Sequence, residues 1–213
     1  MTPNISETQA ETLKTWLGSG SVNIFGTPWA GKDTQGKRLA EFFDAPLIGG
    51  GDIIRSGNDE KLKAAIAGGK LAPTDAYLAT VTPYLSRAEF AGKPIILSSV
   101  GRWIGEEQVI MNAAIRSGHP QKAVVFLDLP EAEIHKRWQA AQELKDRGER
   151  EDDTFEALAV RLDEFRNKTK PVIDYYRDQG LLVDIDGAQT PDEVTDSIFS
   201  ALLERATSET GHA

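Results

Sequence analysis

Ser21-Val-Asn-Ile-Phe-Gly26-Thr-Pro-Trp-Ala-Gly31-Lys-Asp-Thr-Gln-Gly36 is the stretch that decides the fold. Its apolar start, residues 22–25, predicts a strand that stops at Gly26, and a helix is predicted over 31–43. Gly26, Gly31 and Lys32 stand at the Gly-x-x-x-x-Gly-Lys spacing of a phosphate-binding loop. Backbone N–H groups and the helix dipole would then converge on phosphate oxygens. The stretch predicts a nucleoside triphosphate site; the alternative is a Gly-rich turn without a ligand.

Three neighbouring side chains give this loop its chemical character. Lys32 would place a positive charge near the β- and γ-phosphates, and Thr34 would supply an oxygen for Mg²⁺. Asp33 occupies the place where the pattern has Ser or Thr. The candidate triphosphate-binding residues of the loop are Gly26, Trp29, Ala30, Gly31, Lys32, Asp33 and Thr34.

Composition narrows the class of protein. The 213 residues carry a net charge of −9, which disfavours nucleic acid and anionic membranes as partners. The chain contains no cysteine, which excludes disulfides and Cys-based zinc sites, and its three histidines are scattered. The N-terminal stretch lacks the pattern of a secretory signal, and no apolar run approaches membrane-spanning length. We therefore expect a cytoplasmic protein, as a monomer and without zinc.

Short apolar runs alternate with long helical patterns along the chain. The predicted strands are 22–25, 46–48, 94–98, 122–128 and 181–185. The predicted helices are 6–17, 31–43, 59–68, 74–91, 104–117, 131–145, 154–178 and 191–206. This alternation predicts an α/β fold with three layers, in which helices cover both faces of a five-stranded parallel sheet.

Arginines recur around a highly charged segment, Lys145-Asp-Arg-Gly-Glu-Arg-Glu-Asp-Asp153. Arg137, Arg150 and Arg161 are spaced so that a folded-back helix pair could aim several guanidinium groups at one point. Such a cluster suits phosphoryl transfer, where spreading negative charge must be neutralised. The alternative is a solvated charged turn between two helices.

Six further segments, taken in order, resemble the adenylate kinase and nucleoside monophosphate kinase family. The resemblance runs from about residue 21 to 206. Besides the phosphate loop through Gln35, it rests on Gly51-Asp52-Ile-Ile-Arg55, Gly69-Lys-Leu-Ala-Pro-Thr-Asp75, Ser98-Ser-Val-Gly-Arg102, Arg150-Glu-Asp-Asp153, Arg161-Leu162 and Thr169-Lys-Pro-Val-Ile-Asp-Tyr-Tyr176.

The resemblance implies a P-loop kinase that transfers a phosphoryl group from ATP to a nucleoside monophosphate, with Mg²⁺. Lys32 would hold the donor phosphates, and Arg137 would stack on the donor base and approach its phosphates. Arg150 and Arg161 would clamp the transferred group, while Asp152 and Asp153 would orient those arginines. The implied acceptor-site residues are Gly50, Gly51, Arg55, Ser99, Arg102, Glu106, Arg150 and Arg161.

The same resemblance divides the chain into parts. Residues 1–20 would form an N-terminal extension with a helix, and 21–206 the kinase domain. Within that domain we expect a monophosphate-binding lobe over about 50–92 and a short lid without zinc over about 138–153. Residues 207–213 would form a frayed tail.

Several positions depart from the family's pattern. Trp29 and Asp33 replace loop glycines, Ser98 replaces an aspartate that contacts magnesium through water, and Gly50 replaces a threonine near the acceptor base. Glu106 aligns with the glutamine that reads adenine, although Gln108 follows closely. An ionised glutamate can only accept hydrogen bonds, which would favour guanine. The alternative is that Gln108 reads the base and Glu106 is a carboxylate at a helix start.

Two rival functions remain. A kinase acting on a sugar-like or shikimate-like hydroxyl would need a carboxylate base rather than Arg55 and Arg102. A nucleotide-binding protein without turnover would explain Trp29, Asp33 and Ser98. Retention of Lys32, Thr34 and the arginines argues against that second rival.

Overall fold

The computed structural model describes residues 3–67, 71–144 and 154–210. It contains one sheet of five strands, all parallel, in the order β2-β3-β1-β4-β5. The prediction of a five-stranded parallel sheet between helices is confirmed, and each strand bound shifts by at most a single residue. The strands are β1 Ser21–Gly26, β2 Leu47–Gly49, β3 Ile95–Ser98, β4 Gln121–Asp128 and β5 Leu182–Asp186.

Ten α-helices lie in the described residues. One of them, α3, was not predicted, because it begins with Gly50 and Gly51 and glycine is a poor helix former. The burial of Ile53 and Ile54 stabilises it instead. The helices are α1 Glu7–Leu17, α2 Lys32–Phe43, α3 Gly50–Ser56, α4 Glu60–Ala67, α5 Thr74–Leu85, α6 Glu106–Arg116, α7 Glu131–Leu144, α8 Phe155–Glu164, α9 Lys170–Asp178 and α10 Pro191–Thr210.

Two predicted helices are interrupted, and one is longer than expected. The segment 74–91 forms α5 and then a 3₁₀ turn, Ala88–Phe90. The segment 154–178 forms α8 and α9 joined by a π-helical turn, Phe165–Thr169. Helix α10 continues to Thr210, so residues 207–210 of the expected frayed tail are helical. Hydroxyls at these positions donate to carbonyls of the preceding turn, which suits a helix end.

The central strand β1 separates two apolar layers. Val22 and Ile24 belong to the largest core cluster, which includes residues of α1, α2 and α10, whereas Phe25 packs with β4 and α9 on the other face. Successive strand residues point to opposite faces, so a sheet with two covered faces needs this continuous apolar run. Helix α1 joins the largest cluster through Leu13, Trp16 and Leu17.

The carboxyl ends of β1 and β3 lie side by side, because these strands pair in parallel register. The Asn23 amide donates to the carbonyl of Val100 at 2.8 Å and accepts from its N–H at 3.3 Å. The Ser99 N–H donates to the carbonyl of Ile24 at 2.9 Å. These bonds fix the loop after β3 beside the loop after β1. In the described part of the chain, no helix is long and apolar enough to cross a membrane.

Candidate active site

The loop between β1 and α2 has the geometry of a phosphate cradle. Gly26 ends β1 in a tight place, since a Cβ there would lie 3.2 Å from the Leu127 side chain and 3.3 Å from that of Ala30. Gly31 has φ +87°, a left-handed conformation that suits glycine, and α2 begins at the next residue, Lys32. The N-terminus of α2 therefore points its free N–H groups toward the loop.

Trp29 is an unusual member of this loop. It has φ +66°, a left-handed conformation that is costly for a bulky residue. Its half-buried side chain packs against the largest core cluster. The tryptophan therefore keeps the backbone shape that a glycine would adopt, and apolar contact offsets part of the strain.

Lys32 is already paired within the loop. Its Nζ lies 2.9 Å from Oδ1 of Asp33, the next residue of the helix. The Asp33 side chain is 55% exposed, so this ion pair is open to solvent and to competing anions. An incoming phosphate would meet a lysine whose charge is partly neutralised.

A cavity of about 450 Å³ joins the phosphate loop to the loop after β3 and to helices α3 and α5. Among the described residues, it brings together every site residue predicted for the two nucleotides except Arg137. The predicted residues that line it are Gly26, Trp29, Ala30, Gly31, Lys32, Asp33, Thr34, Gly50, Gly51, Arg55, Ser99, Arg102, Glu106 and Arg161.

Arg102 is the group in this cavity that most clearly lacks a partner. Its Nε is buried and has no hydrogen-bond acceptor among the described residues. Burial lowers the pKa of Arg102, and the nearby positive charge of Arg161 lowers it further. Two cations that converge in a half-buried place favour a multiply charged anion between them.

Arg55 lies at the far wall of the cavity, on α3. It makes an exposed ion pair with Asp52, one turn earlier in the helix, at 2.5 Å. The Gly51 Cα is so close that a Cβ there would lie 3.2 Å from the Arg55 guanidinium nitrogens. The glycine thus leaves room for the arginine to lie along the helix toward the cavity.

Glu106 is buried at the start of α6. Its Oε2 accepts hydrogen bonds from the N–H groups of Arg102 and Trp103, both at 3.0 Å. Burial raises the pKa of Glu106, and these N–H groups and the Thr74 hydroxyl oppose that effect. Gln108 is exposed and is not among the cavity residues. The structure therefore places Glu106 at the cavity and also in the role of a helix-start carboxylate.

Tyr77 is a site residue that the sequence reasoning missed. It is buried on α5, lines the cavity, and its hydroxyl accepts from the Gly101 N–H at 3.0 Å. A Cβ on Gly50 would lie 2.5 Å from the Tyr77 oxygen. The absence of a side chain at Gly50 was the available signal, because it implied that another group fills that space.

Arg137 lies outside the cavity. Its guanidinium donates to backbone carbonyls, at 2.8 Å to Gly187 and at 3.4 Å to Trp29. In this position it ties the phosphate loop to the loop between β5 and α10. Arg150, Asp152 and Asp153 lie outside the described residues, as does most of the segment expected to form a lid.

Comparison with known proteins agrees with this geometry. The family model for adenylate kinase matches residues 24–181. The adenylate kinase of Thermus thermophilus is 31% identical over 188 residues, which cover 85% of this chain and 96% of the relative. That of Xanthomonas euvesicatoria is 35% identical over 185 residues, with 84% and 97% covered. The chain belongs to the adenylate kinase family.

As a member of the adenylate kinase family, the protein is an ATP-dependent nucleoside monophosphate kinase. The predicted family and enzyme class are confirmed. The phosphate loop and the pair Arg102 and Arg161 line one cavity. Direct transfer between two nucleotides requires such a shared space.

The oxygen donors of the cavity fit magnesium. Asp33, Thr34 and Ser98 line it and carry a carboxylate and two hydroxyls. Mg²⁺ in such sites takes a few side-chain oxygens and completes its coordination with water and substrate phosphates. No cluster of three His, Asp or Glu residues that could hold a metal occurs in the described residues.

Proposed function

We propose that this member of the adenylate kinase family transfers the γ-phosphoryl group of ATP to AMP and does so reversibly. The observation that carries the proposal is the buried, unpartnered Nε of Arg102 in the cavity that the phosphate loop opens. An acceptor phosphate would give that N–H its partner. A hydroxyl acceptor would bring no such charge.

The acceptor side needs no general base. The phosphate of a nucleoside monophosphate is already an anion at neutral pH, so it can attack without losing a proton. Arg55 and Arg102 would fix that phosphate, and Arg161 would neutralise charge on the transferred group. Catalysis then rests on alignment and on charge neutralisation.

The donor side is the phosphate loop. The N–H groups at the start of α2 and Lys32 would bind the β- and γ-phosphates, with Lys32 leaving its pair with Asp33. When bound, Mg²⁺ would supply positive charge that reduces the repulsion between the two nucleotides. The Thr34 hydroxyl would hold it on the protein side. We further propose 50–92 as the acceptor lobe and 138–153 as the lid.

An assay of ADP formation from ATP, Mg²⁺ and a panel of monophosphates tests the proposal. The wild-type protein should turn over AMP. Arg102→Ala should raise the KM for AMP far more than that for ATP, whereas Arg161→Ala should mainly lower kcat, since ground-state contacts appear in KM and transition-state contacts in kcat. Arg116→Ala is the matched control, because Arg116 is exposed in the last turn of α6. Equal effects of Arg102→Ala on both KM values would contradict the acceptor assignment.

A nucleotide-binding protein with little turnover is the second candidate. The pairing of Lys32 with Asp33 favours it, because the lysine is partly neutralised before any nucleotide binds. ATP binding by calorimetry without ADP formation from any monophosphate would support this candidate. Loss of turnover in Lys32→Ala, but not in the exposed Lys136→Ala of α7, would reject it.

A further inference from the structure

The Tyr77 hydroxyl occupies the space beside Gly50, where a side chain would otherwise lie. The Tyr77 hydroxyl lies 2.5 Å from the point where a Cβ on Gly50 would be, so any larger residue at Gly50 would displace it. Both residues line the cavity, Tyr77 from α5 and Gly50 from the start of α3. Tyr77 and Gly50 therefore form a matched pair that brings a hydroxyl to the acceptor side.

The proton of that hydroxyl is available to a ligand. Within the described residues, the Tyr77 oxygen makes one hydrogen bond, and in that bond it accepts from the Gly101 N–H. A phenol that accepts in this way still has its own O–H to donate. Burial raises the pKa of Tyr77, so the group stays protonated at neutral pH.

Glu106 lies near this hydroxyl and can accept a hydrogen bond, whereas the hydroxyl can donate one. The Tyr77 hydroxyl accepts from the Gly101 N–H and Glu106 accepts from the N–H of the next residue, Arg102, so the two groups lie close together. Glu106 accepts from two backbone N–H groups and from the Thr74 hydroxyl, and a carboxylate offers about four lone-pair directions in all. Glu106 can therefore accept one more hydrogen bond from a ligand in the cavity.

The walls beside these two polar groups are apolar. Ile54, Ile66, Leu71 and Ala72 line the same cavity. A flat aromatic base would fill such a space, with its polar edge turned to the few groups able to bind it. Arg102, proposed to bind the phosphate, is four residues before Glu106, the first residue of α6, so base and phosphate sites lie in one stretch of chain.

We infer that Tyr77 and Glu106 together read the base of the acceptor nucleotide, with the Tyr77 hydroxyl donating to the ring nitrogen N1 of adenine and Glu106 accepting from the 6-amino group. This inference rests on the proposed function. It makes Tyr77 a specificity-determining residue. The donor on Tyr77 and the acceptor on Glu106 together replace the N–H donor and the oxygen acceptor of a single glutamine amide.

The presence of Tyr77 beside Glu106 changes which base the acceptor site should prefer. Glu106 alone would favour a base edge with two donors, such as guanine. With Tyr77 as the donor, the pair matches adenine, whose N1 accepts and whose 6-amino group donates. Guanine presents the reverse order, because its N1 carries hydrogen and its O6 accepts. We therefore expect a preference for AMP over GMP.

The test combines a variant with a substrate analogue. In 1-deazaadenosine monophosphate, N1 is replaced by C–H, so the proposed bond to Tyr77 cannot form. Dissociation constants are measured by calorimetry for AMP and for this analogue, alongside KM values. Wild-type protein should bind the analogue roughly tenfold more weakly than AMP, the scale of one lost hydrogen bond. Tyr77→Phe should weaken AMP binding by a similar factor and leave analogue binding nearly unchanged.

The analogue separates base reading from a structural role. Tyr77 also holds the Gly101 N–H, and loss of that support would weaken AMP and the analogue equally. Equal losses would overturn the inference. Tyr84→Phe is the matched control, since Tyr84 lies on the same helix and is not among the cavity residues. It should leave both constants unchanged.

A second analogue tests the Glu106 half of the pair. Purine riboside monophosphate lacks the 6-amino group, so wild-type protein should bind it more weakly than AMP. Glu106→Ala should then weaken AMP binding more than binding of this analogue. Wild-type protein that binds AMP and both analogues equally, or that prefers GMP, would overturn the inference while leaving a working monophosphate kinase. Failure to bind or phosphorylate any monophosphate would instead overturn the proposed function as well.

Discussion

Lys32 Nζ lies 2.9 Å from Asp33 Oδ1, so the phosphate loop carries an internal anion beside its own lysine. The pair joins adjacent residues in the first turn of α2. Any donor phosphate must compete with this carboxylate for the lysine. The energy of the competition is small, because both side chains are open to solvent.

Asp33→Asn should therefore lower the KM for ATP. An exposed ion pair contributes about 0.2–1 kcal/mol, which corresponds to roughly a fivefold change at most. Steady-state kinetics at low ionic strength measure it, and added salt should reduce the difference. Glu41→Gln, an exposed carboxylate farther along the same helix, serves as the control. A rise in the KM for ATP would show instead that Asp33 helps to hold the metal.

Trp29 allows backbone strain and side-chain packing to be measured separately. Trp29→Ala removes the ring but keeps the strained φ of +66°, whereas Trp29→Gly removes both. Glycine should therefore be more stable than alanine at this position by about 1 kcal/mol. Urea unfolding of the two variants gives the difference directly. If alanine is the more stable of the two, the left-handed conformation carries no strain.

In the ligand-free protein, the buried Arg102 should lower the free energy of unfolding. Its Nε is buried without an acceptor in the described residues, and burial of the charge lowers its pKa. Arg102→Met should raise the free energy of unfolding by about 1 kcal/mol while abolishing acceptor binding. Arg116→Met, on an exposed position, should change stability little. A destabilised Arg102→Met variant would mean that the guanidinium has a stabilising partner.

Glu106 should make stability depend on pH in the direction opposite to an ordinary paired carboxylate. Burial raises its pKa above the usual 4.5, so the folded protein holds this proton more tightly than the unfolded chain. The stabilisation from this group is present at low pH and is lost as pH rises from about 4.5 through the folded pKa. Glu106→Gln should remove that loss, so its advantage over wild type should grow with pH. Parallel unfolding curves for the two proteins across this range would contradict the expectation.

Closure of a lid over 138–153 is a prediction from the sequence, which is rich in charge and poor in apolar residues there. Hydrogen exchange with and without a bisubstrate analogue measures it. Amides of this segment should gain protection when both sites are filled. Amides of α10, far along the chain, provide an internal reference. Unchanged protection in 138–153 would count against a lid.

The sequence predicted the sheet well because each strand is a short apolar run with turn residues at both ends. It predicted helix breaks less well. The π-helical turn at Phe165–Thr169 lies within one continuous helical pattern, and α3 begins on two glycines. Both depend on packing between distant segments, which periodicity does not report.

The candidate site was predicted only in part, because some of its residues belong to short motifs and others depend on packing. Lys32, Arg55 and Arg102 belong to short motifs, so their spacing identified them. Tyr77 belongs to no motif, and its role follows from the space beside Gly50, which is a property of three dimensions. Arg137 was expected near the donor base, but its hydrogen bonds to loop carbonyls could not be read from spacing.

Arg137 holds the phosphate loop by its backbone and not by a side chain. The guanidinium binds the carbonyls of Trp29 and Gly187, and every amino acid has a carbonyl. A clamp of this kind does not depend on the side chains that it holds. Substitutions of Trp29 should therefore leave the hydrogen bond from Arg137 to this part of the loop intact.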